Sequence, residues 1–277
     1  MREHVTEPAT ESATNSPDRT SSGSAGDPAV RVVDLVKDFG EKRAIGGVSF
    51  DIPRGELTSI IGPSGCGKTT TLKIIAGLVE ATAGHVEVEG RPVTGPGPDR
   101  ALVFQDFALM PWATVLRNAA FGLELRGVGR AEREAIAREY VAKVGLAGQE
   151  DVYPHQLSGG MRQRVGLARA LAVDADILLM DEPFASVDEQ IRRKFQEDLL
   201  ELLSDEDKTV VFVTHSIEEA VYVSDQIVIL TRGPSRLSKV VRPGLDHSAG
   251  SDSVRRSSAY LDWVERIWGE LESYLEE

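Results

Sequence analysis

The chain has 277 residues, 41% of them hydrophobic, and a formal net charge of −13 at pH 7. This composition is ordinary for a globular core, whereas the acidic balance argues against a nucleic-acid-binding protein, because phosphate neutralisation needs clustered lysine and arginine. No apolar run approaches the roughly 18 to 20 residues of a membrane-spanning helix, so any role at a membrane would require a partner. The single cysteine, Cys66, has no second cysteine with which to form an internal disulfide, which favours a reducing, cytosolic compartment.

The two ends of the chain differ in composition from its middle. Residues 1–28 are rich in Ser, Thr, Pro and acids and lack the charged-then-apolar order of a signal peptide, so they are predicted to be a disordered tail. A compact domain is predicted over 29–235, followed by a C-terminal extension over 236–277. Within the extension, an amphipathic helix is predicted over 260–277, and it either docks on its own domain or binds a partner.

Short apolar runs and helical patterns alternate along the middle of the chain. The apolar runs predict buried strands at 57–61, 101–104, 177–180, 209–213 and 226–230. Helical patterns lie between them at 67–78, 131–146, 160–173 and 188–203. This alternation predicts an α/β fold with a parallel central sheet.

Two parts of the chain depart from this alternation. Residues 30–40, 48–52 and 85–90 alternate polar and apolar side chains, which predicts antiparallel strands. Residues 106–158 have a mostly helical pattern. The sequence therefore predicts an α/β core that carries an antiparallel β subdomain and a helical subdomain.

A glycine-rich loop follows the first of the predicted buried strands. The stretch "GPSGCGKT" matches G-x-x-x-x-G-K-[ST] between a strand and a helix, where backbone N–H groups can cradle phosphates. In such a loop Lys68 reaches the β- and γ-phosphates and Thr69 offers its hydroxyl to Mg²⁺. The predicted nucleotide contacts are Gly62, Pro63, Ser64, Gly65, Cys66, Gly67, Lys68, Thr69 and Thr70.

Two adjacent carboxylates end the predicted strand at 177–180. Asp181 can hold magnesium through water, and Glu182 can orient and deprotonate an attacking water molecule. Two solvated acids at a strand end are the alternative interpretation. With the glycine-rich loop, the pair predicts that the chain binds ATP and Mg²⁺ and hydrolyses ATP.

A second glycine-rich element, "LSGGM", lies much later in the chain. Ser158 offers a hydroxyl, Gly159 and Gly160 allow close backbone approach, and the helical pattern that follows presents an N-terminus to an anion. This second element is either redundant or meant for a nucleotide that is held elsewhere.

Taken together, these motifs resemble those of the ATP-binding subunits of ABC transporters, in the same order, over roughly residues 30–232. The resemblance implies a P-loop NTPase fold and ATP hydrolysis coupled to transport. It further implies that Phe39 stacks on adenine, Gln105 senses magnesium, Asp188 contacts a second subunit and His215 contacts the γ-phosphate. The implied catalytic residues are Lys68, Glu182 and His215, and the implied magnesium site is formed by Thr69, Gln105 and Asp181.

The resemblance also assigns the second glycine-rich element. In ABC ATPases the Ser-Gly-Gly segment of one subunit caps the nucleotide on the phosphate loop of another, so a homodimer with two enclosed ATP molecules is implied. The chain departs from the family pattern at Met161, where glutamine is usual, and at Ser216, where aspartate is frequent. The stretch "ASVD" stands where "GALD" is commoner. None of these departures removes a catalytic group.

Residues 95–128, with "YPHQLSGGMRQRV" and "LLMDEPFASVD", resemble the nitrate, sulfonate and taurine importer branch. This resemblance implies a separate membrane permease, a periplasmic or lipid-anchored solute-binding protein, and a peripheral location on the cytoplasmic face of the membrane. Relatives that serve bicarbonate or pyrimidine precursors share these motifs. After Gln105, a run of apolar residues predicts a groove for a permease helix, with burial inside its own subdomain as the alternative: Phe107, Leu109, Met110, Pro111 and Trp112.

Four other functions are less consistent with the sequence. ABC ATPases of DNA repair carry long coiled coils and those of translation carry two ATPase halves, and this sequence shows neither. A P-loop kinase has no use for "LSGGM", and a protein that merely binds ATP should lack a general base such as Glu182.

Overall fold

The computed structural model describes residues 26–185, 188–204 and 206–274, and these form two β-sheets and eight α-helices. The strands are β1 (Val30–Phe39), β2 (Lys42–Ile52), β3 (Leu57–Ile61), β4 (Ala83–Val88), β5 (Arg91–Pro92), β6 (Arg100–Val103), β7 (Ile177–Asp181), β8 (Thr209–Val213), β9 (Gln226–Leu230) and β10 (Leu237–Val241). The helices are α1 (Lys68–Ile75), α2 (Val115–Leu125), α3 (Arg130–Lys143), α4 (Gly159–Ala172), α5 (Glu189–Ser204), α6 (Ile217–Val223), α7 (Ser251–Arg256) and α8 (Ser258–Glu272). None of the helices in these residues is long and apolar enough to cross a bilayer. Of the tail predicted over 1–28, residues 1–25 lie outside the described residues.

The larger sheet has the strand order β10-β9-β3-β8-β7-β6. Its strands β9, β3, β8, β7 and β6 run parallel, and β10 pairs antiparallel with β9 at one edge. The predicted parallel α/β core is therefore confirmed. Because parallel strands end at the same edge of a sheet, the residues that follow β3, β6, β7 and β8 come together there.

Side chains of the central strands alternate between two hydrophobic cores, one on each face of the sheet. In β8, Val210 and Phe212 belong to the core that includes α2, α3 and α4, whereas Val211 and Val213 belong to the core that includes α1 and the smaller sheet. Strands β3, β7, β8 and β9 are buried at every position. Burial on both faces explains why their sequences are mostly apolar and do not alternate between polar and apolar side chains.

The smaller sheet is antiparallel, with the order β2-β1-β4-β5, as the alternating pattern predicts. Val30 of β1 lies between Ile52 of β2 and Val88 of β4. Strand β2 begins well before the predicted strand at 48–52, because β1 continues to Phe39 and pairs there with Lys42.

The segment 106–158 contains α2, α3 and a short 3₁₀ turn, but it begins as a loop. Phe107 and Ala108 have φ angles of 61° and 43°, which are outside the right-handed helical region. The buried side chain of Asn118 holds this loop in place, accepting a hydrogen bond from the Met110 amide at 2.8 Å and donating to the Met110 carbonyl at 3.2 Å.

The C-terminal extension folds back on the chain's own core, and α8 packs against α6. The helix starts slightly earlier than predicted because the Ser257 hydroxyl caps it, accepting from the Tyr260 amide. Tyr260 and Ile267 are buried in the core, whereas Leu261 is 54% exposed. The apolar side of the helix thus docks on its own chain, and residues 275–277 of the predicted helix lie outside the described residues.

Candidate active site

The glycine-rich loop between β3 and α1 follows a path that only glycine permits at two positions. A Cβ atom on Gly62 would lie 2.7 Å from the Leu230 carbonyl oxygen and 2.9 Å from Cys66 Sγ. Gly67, which precedes α1, has a φ angle of 102°, which glycine adopts without strain. Cys66 is fully buried, and burial raises the pKa of its thiol, so it packs the loop rather than supplying a reactive group.

Lys68 holds a positive charge against this loop. Its side chain is buried, and Nζ donates to the Gly62 carbonyl at 2.8 Å and to the Pro63 carbonyl at 3.2 Å. An ammonium group beside the N-terminus of α1 is a suitable environment for a polyphosphate, because the amides and the partial charge of the helix end also favour an anion. These residues therefore fit the phosphates of a nucleotide.

A hydroxyl and a carboxylate meet next to Lys68. Thr69 Oγ1 donates to Asp181 Oδ1 at 2.8 Å, across the gap between the start of α1 and the end of β7. Burial raises the pKa of Asp181, the Thr69 hydrogen bond lowers it, and the charge of Glu182 raises it further, with a net increase. Hard oxygen donors beside a phosphate site are the ligands that Mg²⁺ prefers, so the donor set fits this ion.

Two side chains from two other loops converge on the Glu182 carboxylate. The Glu182 Oε2 atom lies 3.2 Å from His215 Nδ1 and accepts a hydrogen bond from Gln105 Nε2 at 3.3 Å. Glu182 has a φ angle of 45°, and its amide donates to the Val213 carbonyl at 2.9 Å. The His215 side chain is 60% exposed and that of Glu182 is 19% exposed, so the carboxylate lies beneath a solvent-facing imidazole.

The second glycine-rich element caps its own helix. Ser158 Oγ accepts from the Met161 amide at 3.3 Å, and Gly159 and Gly160 form the first turn of α4. Asp188 lies just before α5 and is exposed, while residues 186 and 187 of "ASVD" lie outside the described residues. In the part of the chain that the structure describes, no hydrogen bond joins Ser158 to the phosphate loop.

Phe39 lies at the end of β1 and is 53% exposed. Lys37 Nζ lies 5.0 Å from the ring centroid. An exposed aromatic face with a neighbouring cation can stack on a nucleotide base.

Sequence reasoning missed a buried carboxylate close to His215. Glu219 is 7% exposed and accepts a hydrogen bond from the Thr214 hydroxyl at 2.5 Å. In the sequence, Glu218 and Glu219 look like two acids in the first turn of a helix, which is an ordinary, solvated arrangement. Glu219 could be distinguished from Glu218 only by knowing which side of α6 faces the core.

Comparison with known protein families matches residues 45–185, slightly more than half of the chain, to the ABC transporter family. The chain belongs to this family. This ABC protein is 48% identical over 242 residues to an uncharacterised ABC transporter ATP-binding protein of Methanocaldococcus jannaschii, across 86% of this chain and 89% of that relative. It is 50% identical to the taurine import ATP-binding protein TauB of Chromobacterium violaceum, across 72% of this chain and 77% of the relative. It is 46% identical to TauB of an Escherichia coli strain, across 75% of this chain and 82% of the relative.

Solved structures of ABC proteins share the fold. The dimeric ATP-binding cassette MJ0796, in a post-hydrolysis state bound to ADP and Pi, has a TM-score of 0.69 and 32% identity, across 77% of this chain and 98% of that chain. CbiO1 of Clostridium perfringens has a TM-score of 0.71 at 24% identity, across 79% of this chain and 90% of that chain. This likeness supports only the fold. The predicted ABC ATPase fold is thus confirmed, and the chain is an ATP-hydrolysing ABC transporter ATPase.

Proposed function

We propose that the chain is the ATP-hydrolysing subunit of an ABC importer, in which two copies of the chain enclose ATP. The observation that carries the proposal is the convergence of Lys68, the Thr69–Asp181 pair and the Glu182–His215 pair at one edge of the parallel sheet. Ligands of open α/β sheets bind at this edge. In this proposal residues 29–235 form the ATP-binding domain and residues 236–277 form an extension.

Each side chain at this edge has a distinct role in hydrolysis. Lys68 binds the β- and γ-phosphates, and Thr69 and Asp181 hold Mg²⁺. A bound Mg²⁺ would neutralise charge on the phosphates. Glu182 orients the attacking water and takes its proton, and His215 contacts the γ-phosphate while holding the Glu182 carboxylate.

The remaining predicted residues complete the nucleotide site from two subunits. Phe39 stacks on the adenine ring, and Gln105 links the magnesium site to the loop that follows β6. From the second subunit, Ser158 contributes its hydroxyl, and the backbone of Gly159 and Gly160 approaches the γ-phosphate at the start of α4. Asp188 contacts the partner subunit. The dimeric state of the solved cassette MJ0796 supports this arrangement.

The names of the relatives support a substrate class. Two relatives of this chain are named taurine import proteins, which supports an importer of taurine, sulfonates or nitrate. A separate permease and a periplasmic or lipid-anchored solute-binding protein would select the solute, and the chain would bind the permease at the cytoplasmic face of the membrane. An importer of bicarbonate or pyrimidine precursors is the second candidate, and an ABC ATPase outside transport is the third.

The ATPase is tested with the purified chain. It is expected to release phosphate from ATP without any acceptor molecule, and to stop when EDTA removes Mg²⁺. Lys68→Ala is the control, because it lacks the ammonium group at the phosphate loop. A wild-type rate equal to that of Lys68→Ala would reject the proposed site, and a requirement for an acceptor would indicate a kinase.

The importer is tested in cells that lack the gene for this chain. Loss of taurine, alkanesulfonate or nitrate uptake, restored by wild type but not by Lys68→Ala, is the expected result. Normal uptake of all three solutes would remove this substrate class.

A further inference from the structure

A buried acid lies beneath the turn that carries His215. Glu219, in the first turn of α6, is 7% exposed, although its neighbour Glu218 lies in solvent. Burial raises the pKa of Glu219, against the opposing effects of the Thr214 hydrogen bond and the Arg192 charge. A carboxyl group is costly to bury, so it persists where the surrounding hydrogen bonds need it.

The hydrogen bonds of Glu219 enclose the backbone on both sides of His215. Thr214, 1% exposed, donates its hydroxyl proton to Glu219 Oε2 at 2.5 Å, and the same hydroxyl oxygen accepts from the Ser216 amide at 3.1 Å. The Ser216 hydroxyl in turn accepts from the Glu219 amide at 3.1 Å. Residues immediately before and after His215 are therefore tied to one buried carboxylate.

The same carboxylate reaches a second helix. Glu219 Oε1 lies 3.7 Å from Nε of Arg192, in the first turn of α5. The Arg192 amide donates to the Asp188 carbonyl at 2.7 Å. Glu219 therefore links the turn before α6 to the first turn of α5.

His215 itself depends on this support. Its imidazole is 60% exposed, and within the described residues its side chain contacts Glu182 at 3.2 Å. The backbone position of residue 215 sets where the imidazole can reach, so a shift of this backbone changes the distance between His215 and Glu182.

We propose that Glu219 is a positioning residue for ATP hydrolysis, which holds His215 against Glu182 through the hydroxyl of Thr214. This inference rests on the role proposed above for His215. Glu219 does not touch the reacting atoms, and it acts only through the position of the imidazole.

The first experiment measures steady-state ATP hydrolysis and melting temperature for variants of the two residues. Glu219→Ala and Thr214→Val are expected to lower kcat about tenfold with little change in KM, in the middle of the range of couplings between hydrogen-bonded residues. Thr214→Ser keeps the hydroxyl and is expected to retain wild-type kcat. Glu218→Ala is the matched control, since it removes the same charge from the same helical turn and, although it also removes an acceptor of the Ser216 hydroxyl, leaves the hydrogen bond between Thr214 and Glu219 intact.

Glu219→Gln covers the case in which Glu219→Ala does not fold. Its side-chain oxygen can still accept from Thr214, whereas the attraction to Arg192 is weakened, so a smaller fall in kcat is expected. Equal kcat in Thr214→Ser and Thr214→Val would overturn the proposal, because the hydroxyl would then be irrelevant.

A double-variant cycle separates positioning from general destabilisation. In the His215→Ala background, Glu219→Ala is expected to have little further effect on kcat, because the group it positions is gone. An equal fall in both backgrounds would reject action through His215. If the single variant His215→Ala has wild-type kcat, the proposed role of His215 is wrong and the inference about Glu219 fails with it. If His215→Ala lowers kcat but Glu219→Ala has wild-type kcat, the role of His215 stands and only the inference about Glu219 fails.

A spectroscopic readout does not depend on activity. In protein with labelled histidine, the imidazole signal absent from His215→Ala identifies residue 215. This signal is expected to shift in Glu219→Ala and Thr214→Val, but not in Glu218→Ala or Thr214→Ser. An unchanged His215 signal in both variants would show that Glu219 does not position the ring.

Discussion

The Glu182 carboxylate and the His215 imidazole lie 3.2 Å apart, Oε2 to Nδ1, at the ends of two adjacent parallel strands. Glu182→Gln keeps the size and hydrogen-bonding capacity of the side chain but removes its basicity. We expect hydrolysis to fall by about a hundredfold or more, the scale of general-base catalysis, while ATP affinity is largely preserved. Single-turnover cleavage of ATP measures the effect. Wild-type-like cleavage would mean that another group activates the water.

The control for this variant is Glu132→Gln, which makes the same chemical change at an exposed position in α3. It should cleave ATP as wild type does. If ATP closes the proposed dimer and hydrolysis opens it, Glu182→Gln should also accumulate as a dimer with ATP and Mg²⁺, to an extent that gel filtration can measure.

The composite site can be rebuilt from two defective chains. Ser158→Arg disables the capping element and Lys68→Ala disables the phosphate loop, so a mixed dimer contains one site made of two intact halves. We expect the mixture to hydrolyse ATP faster than either variant alone at the same total protein concentration. Full activity of Ser158→Arg by itself would show that Ser158 has been wrongly assigned.

Trp112 is 72% exposed on the loop after Gln105, so it is not buried in its own subdomain. We expect Trp112→Ala to bind ATP normally but to associate less tightly with the permease, because an exposed indole is a strong interface anchor. Pull-down of the reconstituted permease and transport into vesicles measure the loss. Trp268→Ala, at a position 57% exposed on α8, is the matched control and should behave as wild type. Unchanged association in Trp112→Ala would remove this docking site.

The docking of α8 depends on Tyr260, which is 6% exposed and packs in the larger core. We expect Tyr260→Ala to lower the free energy of unfolding by about 3 kcal/mol, as for other buried aromatic truncations. Leu261→Ala, at the next residue and 54% exposed, should change it by no more than about 0.5 kcal/mol. Denaturant unfolding compares the two, and equal values would contradict the docked position of the helix.

Asp198 provides a test in which stability depends on pH. Burial acts to raise its pKa, but hydrogen bonds from Arg164 and Lys194 outweigh burial and hold the pKa below its usual value. Because the folded pKa is the lower one, the stabilisation is complete above the unfolded value of about 3.9 and is lost as the pH falls through the folded pKa. Asp198→Asn should therefore cost on the order of 1 kcal/mol at pH 7 and progressively less below about pH 4. Urea unfolding across this range measures the difference, and a constant difference would contradict the ion-pair explanation.

The sequence predicted best where one strong physical constraint dominates. Strands 57–61, 209–213 and 226–230 match β3, β8 and β9 because strands buried on both faces are mostly apolar. The phosphate loop could also be predicted from the sequence, because its backbone path requires glycine at positions 62 and 67.

The sequence predicted less well where tertiary contacts decide. The loop that opens 106–158 carries helix-compatible residues on both sides of Pro111, and its shape depends on hydrogen bonds to the Asn118 side chain. The burial of Glu219 depends on which side of α6 meets the core, and helical periodicity does not distinguish it from Glu218. The roles of Ser158 and Asp188 involve a second subunit, so they stay predictions.

The positive φ angle of Glu182 creates a conflict between the thermal stability of the protein and its rate of ATP hydrolysis. A residue with a side chain costs about 1 kcal/mol or more in this backbone conformation, and glycine avoids that cost. A laboratory selection that rewards only survival at high temperature should therefore enrich Glu182→Gly, and it would do so while discarding the carboxylate to which we assign water activation. Selection for a more heat-stable form of this protein should therefore also require ATP hydrolysis. Otherwise the most heat-stable variants will have lost ATPase activity.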